Sequence, residues 1–440
     1  MARVIARPPL PAGPFVVVGL ARSGIAAALA LRARGAEVLA CDAGPVADDV
    51  RARLEAAGAA VHAPSEGVAL LAPASTVVKS PGVPQDAPVI ASARRLGARV
   101  VGELEIGWRL LPNDVIVVTG SNGKTTTAEL IGHVHREAGL PVVVAGNVGT
   151  ALTSLAGSLD REAVVVCEAS SFQLEDTEEL APDAAVLLNL AEDHLDRHGT
   201  FDAYREAKLQ AFARQPPEAV AVAPVDLVGV LGGAARRVAI GPGGDLELRD
   251  GRLWWRGSPL ADAAEIRLRG AHNRENAMAA AAVCLARGVP VAAIRSGLAT
   301  FGGVPHRLEE VADDHGVLYV NDSKATNVAS AVVGIESFPG GVHAILGGRG
   351  KRGDYAPLAA AIATRARAVY LIGEAAPDMR AALASTGVPL HDCGDLPSAV
   401  AAARAAARPG EVVLLSPACA SYDQYRSFEQ RGDHFRALVS

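Results

Sequence analysis

The stretch "VVTGSNGKTTTAEL", Val117–Leu130, constrains this chain more than any other. An apolar, β-branched run ends in two glycines, Gly120 and Gly123, and Lys124-Thr125-Thr126 then opens a segment with helical character. A strand, a tight turn and a helix in succession bring backbone N–H groups and a helix N-terminus to one point, which makes a cradle for phosphate. Lys124 would neutralise β/γ-phosphate charge, and Thr125 would offer its hydroxyl to Mg²⁺. The loop is two residues shorter between its glycines than the common G-x-x-x-x-G-K-[ST] form. A bare glycine turn would be an incidental connection, whereas Lys-Thr in this context predicts nucleotide binding.

Such a loop needs parallel α/β layers around it, and the rest of the chain supplies them. The 440 residues suffice for two to four domains; half are hydrophobic and only 4% aromatic, with Ala, Val, Leu and Gly dominant. "FVVVGLARSGIAAALALRARGAEVLACD" reads as a βαβ unit closing at Asp42. Pro112 and Asn113 in "LPNDVIVVTG" mark a linker. Strands are expected at "PVVVAGNVG", "AVVVCEAS" and "AAVLLNLAEDH", and a hairpin with an Asp250-Gly251 turn in "GPGGDLELRDGRLWWRG". A helix is expected from "GAHNRENAMAAAAVCLARG", then further strands at "VLYVNDS", "HAILGG", "AVYLIG" and "EVVLLSPA". Three α/β domains in series follow: a Rossmann-like domain over 1–105, a phosphate-loop ATPase domain over 106–303 and a second Rossmann-like domain over 304–440.

A net charge of −6 argues against a nucleic-acid partner. The apolar run near the N-terminus is too short for a signal peptide and reads as the first strand. No apolar stretch approaches membrane-spanning length. Five scattered cysteines without a C-x-x-C pair read as reduced thiols. A cytoplasmic protein is expected.

Glu168 ends an apolar strand near the phosphate loop, where a carboxylate suits a second Mg²⁺ position or simply faces solvent. "NLAEDHLDRHGTFDAYREAKLQAF" adds Asp193, His194, Asp196 and Lys208. Gly19-x-x-x-x-Gly24 follows the first strand, but Ala21 stands where G-x-G-x-x-G has its middle glycine. Asp42 lies where an NAD enzyme would grip a ribose, so an oxidoreductase stays open.

Ten motifs occur in order over nearly the whole chain: "TGSNGKTTT", "GNVG", "EASSFQLE", "EDHLDRH", "YREAKLQ", "GAHNRENAMAA", "PHRLE", "NDSKATN", "GGRGK" and "SPACASYDQY". Together they resemble the Mur ligase family of peptidoglycan synthesis, and "NDSKATN" with "SPACASYDQYRSFEQRG" resembles its D-glutamate-adding branch. The resemblance implies an ATP-dependent amide ligase acting on UDP-N-acetylmuramoyl-L-alanine and D-glutamate through an acyl phosphate, releasing ADP and phosphate. It places ATP on Gly120, Asn122, Gly123, Lys124, Thr125 and Thr126, with Asn273 and Asn276 near adenine and Arg307 and Asp322 on phosphate and ribose. Two Mg²⁺ sites are implied, from Thr125, Glu168, His194 and Lys208. Lys208 would be N-carbamylated by CO₂, which turns an ammonium into an anionic oxygen ligand. Lys124, His194 and Lys208 are the implied catalytic groups.

The same resemblance puts the UDP substrate on Arg22, Ser23, Asp42, Ser80, Gly82, Asn147 and His194. It puts the amino acid on Lys324, Thr326, Lys351, Ser421, Tyr422 and Phe428. A monomer is implied, whose third domain swings against the second at a linker near "FGGVPH". Ser121 stands where Thr is usual, Ala43 and Gly44 where polar residues are common, and Tyr422 where Leu is frequent. A sister ligase specific for another amino acid, or an ATP-binding module without catalysis, stays open.

Overall fold

Valine-rich runs become buried parallel strands in three separate sheets. The computed structural model describes residues 7–71, 76–268, 270–350 and 354–440. The first sheet holds β1 (Phe15–Val18), β2 (Val38–Cys41), β3 (Ala60–His62), β4 (Thr76–Lys79) and β5 (Arg99–Gly102), all parallel, in the order β3-β2-β1-β4-β5. The chain builds outward on one side of β1 and then crosses to the other. The C-terminal ends of β1 and β4 are therefore the switch point where such sheets open a ligand crevice.

The second sheet comprises β6 (Val115–Thr119), β7 (Val142–Gly146), β8 (Val164–Glu168), β9 (Ala184–Leu187), β10 (Val220–Pro224), β11 (Arg236–Ile240), β12 (Leu246–Arg249), β13 (Arg252–Trp255) and β14 (Ser258–Asp262). Their order is β14-β13-β12-β11-β10-β9-β6-β8-β7. β6 is wholly buried between β8 and β9, so the loop that follows it emerges at this sheet's own switch point. The expected hairpin is β12–β13, closed by Asp250-Gly251 with both residues at positive φ, as a two-residue connection requires. Helix Lys124–Glu137 packs on helices Ala271–Ala286 and Val291–Thr300.

The third sheet holds β15 (Glu309–Asp314), β16 (Val317–Asn321), β17 (Val342–Gly347), β18 (Ala366–Ile372), β19 (Leu390–Gly394) and β20 (Val412–Leu415), ordered β15-β16-β20-β17-β18-β19. Only β15 runs antiparallel to its neighbour. Separate apolar clusters cover its two faces. By contact density the chain forms two units, 1–301 with the first two sheets and 302–440 with the third.

Buried charge welds the first two sheets together. Lys79, fully buried at the end of β4, sets its ammonium 2.6 Å from Asp176, whose other oxygen accepts from Gln85. Arg7 reaches Asp183 at 2.7 Å and the carbonyl of Asn113 at 2.8 Å. Among the described residues no helix is long and apolar enough to cross a membrane.

Candidate functional site

β6 stops at Thr119, and the helix begins at Lys124. Ser121 anchors the turn between them. Its Oγ donates to Ala191 O at 3.0 Å, accepts from Ala191 N at 2.9 Å and meets the Tyr204 hydroxyl at 2.8 Å. Asn189 supports the next residue: its Oδ1 accepts from Asn122 N at 2.9 Å and its Nδ2 donates to Asn122 O. Gly123 sits at φ +84°, and a Cβ there would overlap Oδ1 of Asn276. Asn276, expected beside adenine, thus also packs directly on the loop. Its neighbour Asn273 accepts from it at 3.3 Å. Thr125 and Thr126 lie buried in the first helical turn.

Two lysines converge on one carbonyl. Lys124 Nζ donates to Gly120 O at 2.9 Å and to Ser121 O at 2.8 Å. Lys208 Nζ, from helix Phe201–Leu209, donates to the same Gly120 O at 2.8 Å and lies 4.5 Å from the Tyr204 ring centroid. Burial, reinforced by the charge of Lys124 and opposed by Asp193, pulls the Lys208 amine down to about 7. Two amines this close create a strong local demand for negative charge.

Glu168 closes β8 in a buried position and accepts from Asn147 Nδ2 at 3.0 Å, while Asn147 N donates to its backbone carbonyl. Arg22 reaches over to Asn147 O at 3.4 Å. His194 is held in the left-handed region at φ +52° with its ring tilted against Phe172 at 4.8 Å between centroids, and Phe172 also stacks with His198 and carries the Arg197 guanidinium. Arg197 continues to Val83 O and Glu175, linking this segment to the loop after β4. Among the described residues no three His, Cys, Asp or Glu side chains form a ready cation cage. Thr125 offers a hydroxyl and Glu168 a carboxylate, donor types that Mg²⁺ can use, since it takes one or two carboxylates and completes its shell with phosphate oxygens and water.

Beside the phosphate loop opens a cavity of about 580 Å³ lined by Leu188, Asn189, Leu190, Ile240, Asn276 and Met278 among others. The recess is mainly apolar, with the amides of Asn189 and Asn276 and the charged side chains of Asp226, Arg274 and Glu275 in its lining, and it adjoins the phosphate loop. Asn189 touches both the cavity and the loop, yet a lone Asn after a strand carries no sequence signal.

The crevice of the first sheet contains Arg22, Ser23, Asp42, Ser80 and Gly82. Both Asp42 oxygens already accept backbone N–H groups, from Leu20 at 2.7 Å and Gly44 at 2.8 Å. Each oxygen keeps a further lone pair with which to accept from a ligand hydroxyl. Ser80 Oγ donates to Gly19 O at 2.7 Å, tying β4 to the glycine turn. Arg22 and Gly82 are exposed, and Ser23 lies half-buried in the first turn of helix Arg22–Ala33.

Within the second unit, Asp322 follows β16, accepts from Ser416 Oγ at 2.7 Å and from Leu308 N at 3.2 Å, and is raised to about 7 by burial. Arg307 acts on it electrostatically in the opposite sense. Lys324 N donates to His306 O at 2.9 Å and Thr326 N to Lys324 O at 2.8 Å, which fixes that loop. Ser421 is buried, Tyr422 is 64% exposed, and Phe428 opens the last helix with its ring 6.1 Å from that of His306. Lys351 lies outside the described residues.

Three family models match in succession: "Mur ligase MurD-like, N-terminal domain" over 14–102, "Mur ligase middle domain" over 118–232 and "Mur ligase, glutamate ligase domain" over 306–419. The UDP-N-acetylmuramoylalanine–D-glutamate ligase of Acidobacterium capsulatum is 43% identical over 445 residues, spanning 96% of this chain and 95% of its own. Its counterpart from Anaeromyxobacter dehalogenans is 43% identical over 472 residues, spanning 99% of both. The MurF ligase of Thermotoga maritima, solved in complex with ADP, shares the fold with a TM-score of 0.55 at 19% identity over 92% of this chain and 95% of that one.

Proposed function

The chain belongs to the Mur ligase family, and we propose that it uses ATP to join D-glutamate to UDP-N-acetylmuramoyl-L-alanine, releasing ADP and phosphate. The reading is carried by one observation: Lys124 and Lys208 share the Gly120 carbonyl at the mouth of the phosphate loop. A carboxylate is a poor electrophile, and taking the γ-phosphoryl group gives its oxygen a good leaving group. Two anions must meet for that transfer, so positive groups have to offset their repulsion in a water-poor site.

Lys124 is the group that moves from loop carbonyls to phosphate oxygens, while the start of helix Lys124–Glu137 adds favourable N–H dipoles. Thr125 and Glu168, with His194 beside them, would hold Mg²⁺, and the ion would supply charge that screens the triphosphate. Lys208 has a second part. The neutral amine is the form that adds to CO₂, and a pKa of about 7 leaves a large neutral share at physiological pH. As a carbamate it would offer an oxygen to the cation. The resulting acyl phosphate is captured by the amino group of D-glutamate, and phosphate leaves as the amide forms.

We assign ATP to 106–303, with its base in the cavity beside Asn276; Arg307 and Asp322 are nucleotide-binding residues by the family resemblance. The UDP substrate falls to 1–105 and Asn147, and the amino acid to 304–440 through Lys324, Thr326, Lys351, Ser421, Tyr422 and Phe428. The protein works as a cytoplasmic monomer in this reading. The test is phosphate release by the purified chain with ATP, Mg²⁺ and UDP-N-acetylmuramoyl-L-alanine. Release that depends on D-glutamate is expected. Release with L-alanine or diaminopimelate, but not with D-glutamate, overturns the proposal in favour of a sister specificity.

A further inference from the structure

Arg431 is a buried cation whose guanidinium hydrogen-bonds only neutral groups among the described residues. It lies in the first turns of helix Phe428–Val439 and is 1% exposed. Nε donates to Ser323 Oγ at 3.0 Å, and Nη2 donates to Ser323 O at 2.8 Å and Cys419 O at 3.1 Å. Nη1 has no hydrogen-bond partner among the described residues, although it is buried. A Cβ built on Gly348 would stand 3.1 Å from it. Asp423 acts on the guanidinium at a distance. Burial pulls its pKa down to about 10, so the charge survives at neutral pH.

Its partners share a location. Ser323 follows β16, Gly348 follows β17 and Cys419 follows β20, and these strands lie side by side in the order β16-β20-β17. One side chain therefore ties together the loops after β16 and β20, with the glycine turn after β17 alongside, at the C-terminal edge of the sheet, where open α/β sheets bind their ligands. Lys324 is the residue after Ser323, and Ser421 comes two residues after Cys419. Arg431 itself is covered, so it acts on that crevice through the loops and through its field, which low-dielectric surroundings leave largely unscreened.

We propose that Arg431 is a positioning residue for the amino-acid substrate: its fork aligns the loops bearing Lys324, Thr326 and Ser421, and its charge, offset only from a distance by Asp423, makes their crevice favour a dicarboxylic amino acid. The inference rests on the ligase reading above. A purely structural arginine would lower stability and leave substrate preference alone.

The experiment compares the full-length wild type with R431Q, R431K and S323A, measuring KM for each substrate and thermal unfolding. R431Q should raise KM for D-glutamate about tenfold or more while KM for ATP stays within about twofold, with R431K recovering part of the loss. S323A keeps the charge and removes one acceptor of the fork; a rise of about threefold in the D-glutamate KM alone is expected, and it decides the matter if R431Q does not fold. A folded R431Q with an unchanged D-glutamate KM, an equal rise for all three substrates, or an unselective S323A overturns the inference. A wild type indifferent to D-glutamate sinks the ligase reading instead, so the two failures are told apart.

Discussion

Lys208 shows how much a single environment changes a common side chain. An unfolded chain holds its ammonium protonated to near 10.5, whereas the folded amine titrates at about 7. Between those values the unfolded state binds more protons, so stability from this group is complete above 10.5 and lost as pH falls through 7. Denaturant midpoints of the wild type should therefore rise from neutral to alkaline pH, and K208M should flatten that rise. Asp322 works in the opposite sense. Its folded pKa of about 7 lies above the ordinary 3.8, so its contribution is complete below 3.8 and lost as pH rises through 7. D322N should remove that acid-side dependence. K124A should lower turnover by about a hundredfold or more with little loss of secondary structure by circular dichroism, because the electrostatic support it withdraws acts on the transferred phosphoryl. Spacing and strand context single out Lys124 and Thr125 in the sequence, whereas Glu168, a lone strand-end carboxylate, stands out there mainly through the family resemblance. Asn189, Tyr204 and Arg431 do not stand out. Each is a single polar residue whose partners stand far away along the chain, and only the folded sheet brings them together.

Elements buried on both faces were the easiest to read. β6, β8 and β16 are apolar runs ending in a polar residue, and β17 and β20 are buried along their whole length, the signature of parallel strands covered on both sides. β15 ("EEVADD") and β19 ("LHDCG") went unanticipated because they are edge strands with acidic or mixed residues, the composition that keeps an edge from recruiting another strand. β10, β11 and β14 were missed for a different reason: they extend the central sheet beyond the last motif, through segments without chemistry. The turn between β6 and its helix sets a sharper test. G123A would put a side chain into the left-handed region, at a cost of about 1–2 kcal/mol, and drive its Cβ into Asn276. Weaker binding of an ATP analogue, measured by titration calorimetry, should accompany a modest drop in melting temperature. Unchanged affinity would mean that the loop tolerates a shape this packing forbids.

At the scale of the whole molecule, the buried ion pairs bear on cooperativity. Lys79 with Asp176 and Arg7 with Asp183 join elements of the first two sheets, so residues 1–301 should melt as one calorimetric transition. K79M leaves the Asp176 carboxylate buried without its ammonium, which costs about 3–5 kcal/mol. The transition of 1–301 should fall or split, while that of 302–440, with its own core, stays in place. A uniform downward shift of both would contradict this division. The Gly120 oxygen holds two amines at once. Any nucleotide that draws Lys124 toward its phosphates relieves Lys208 of a cationic neighbour, so the basicity of that second amine becomes a gauge of whether the cradle is filled.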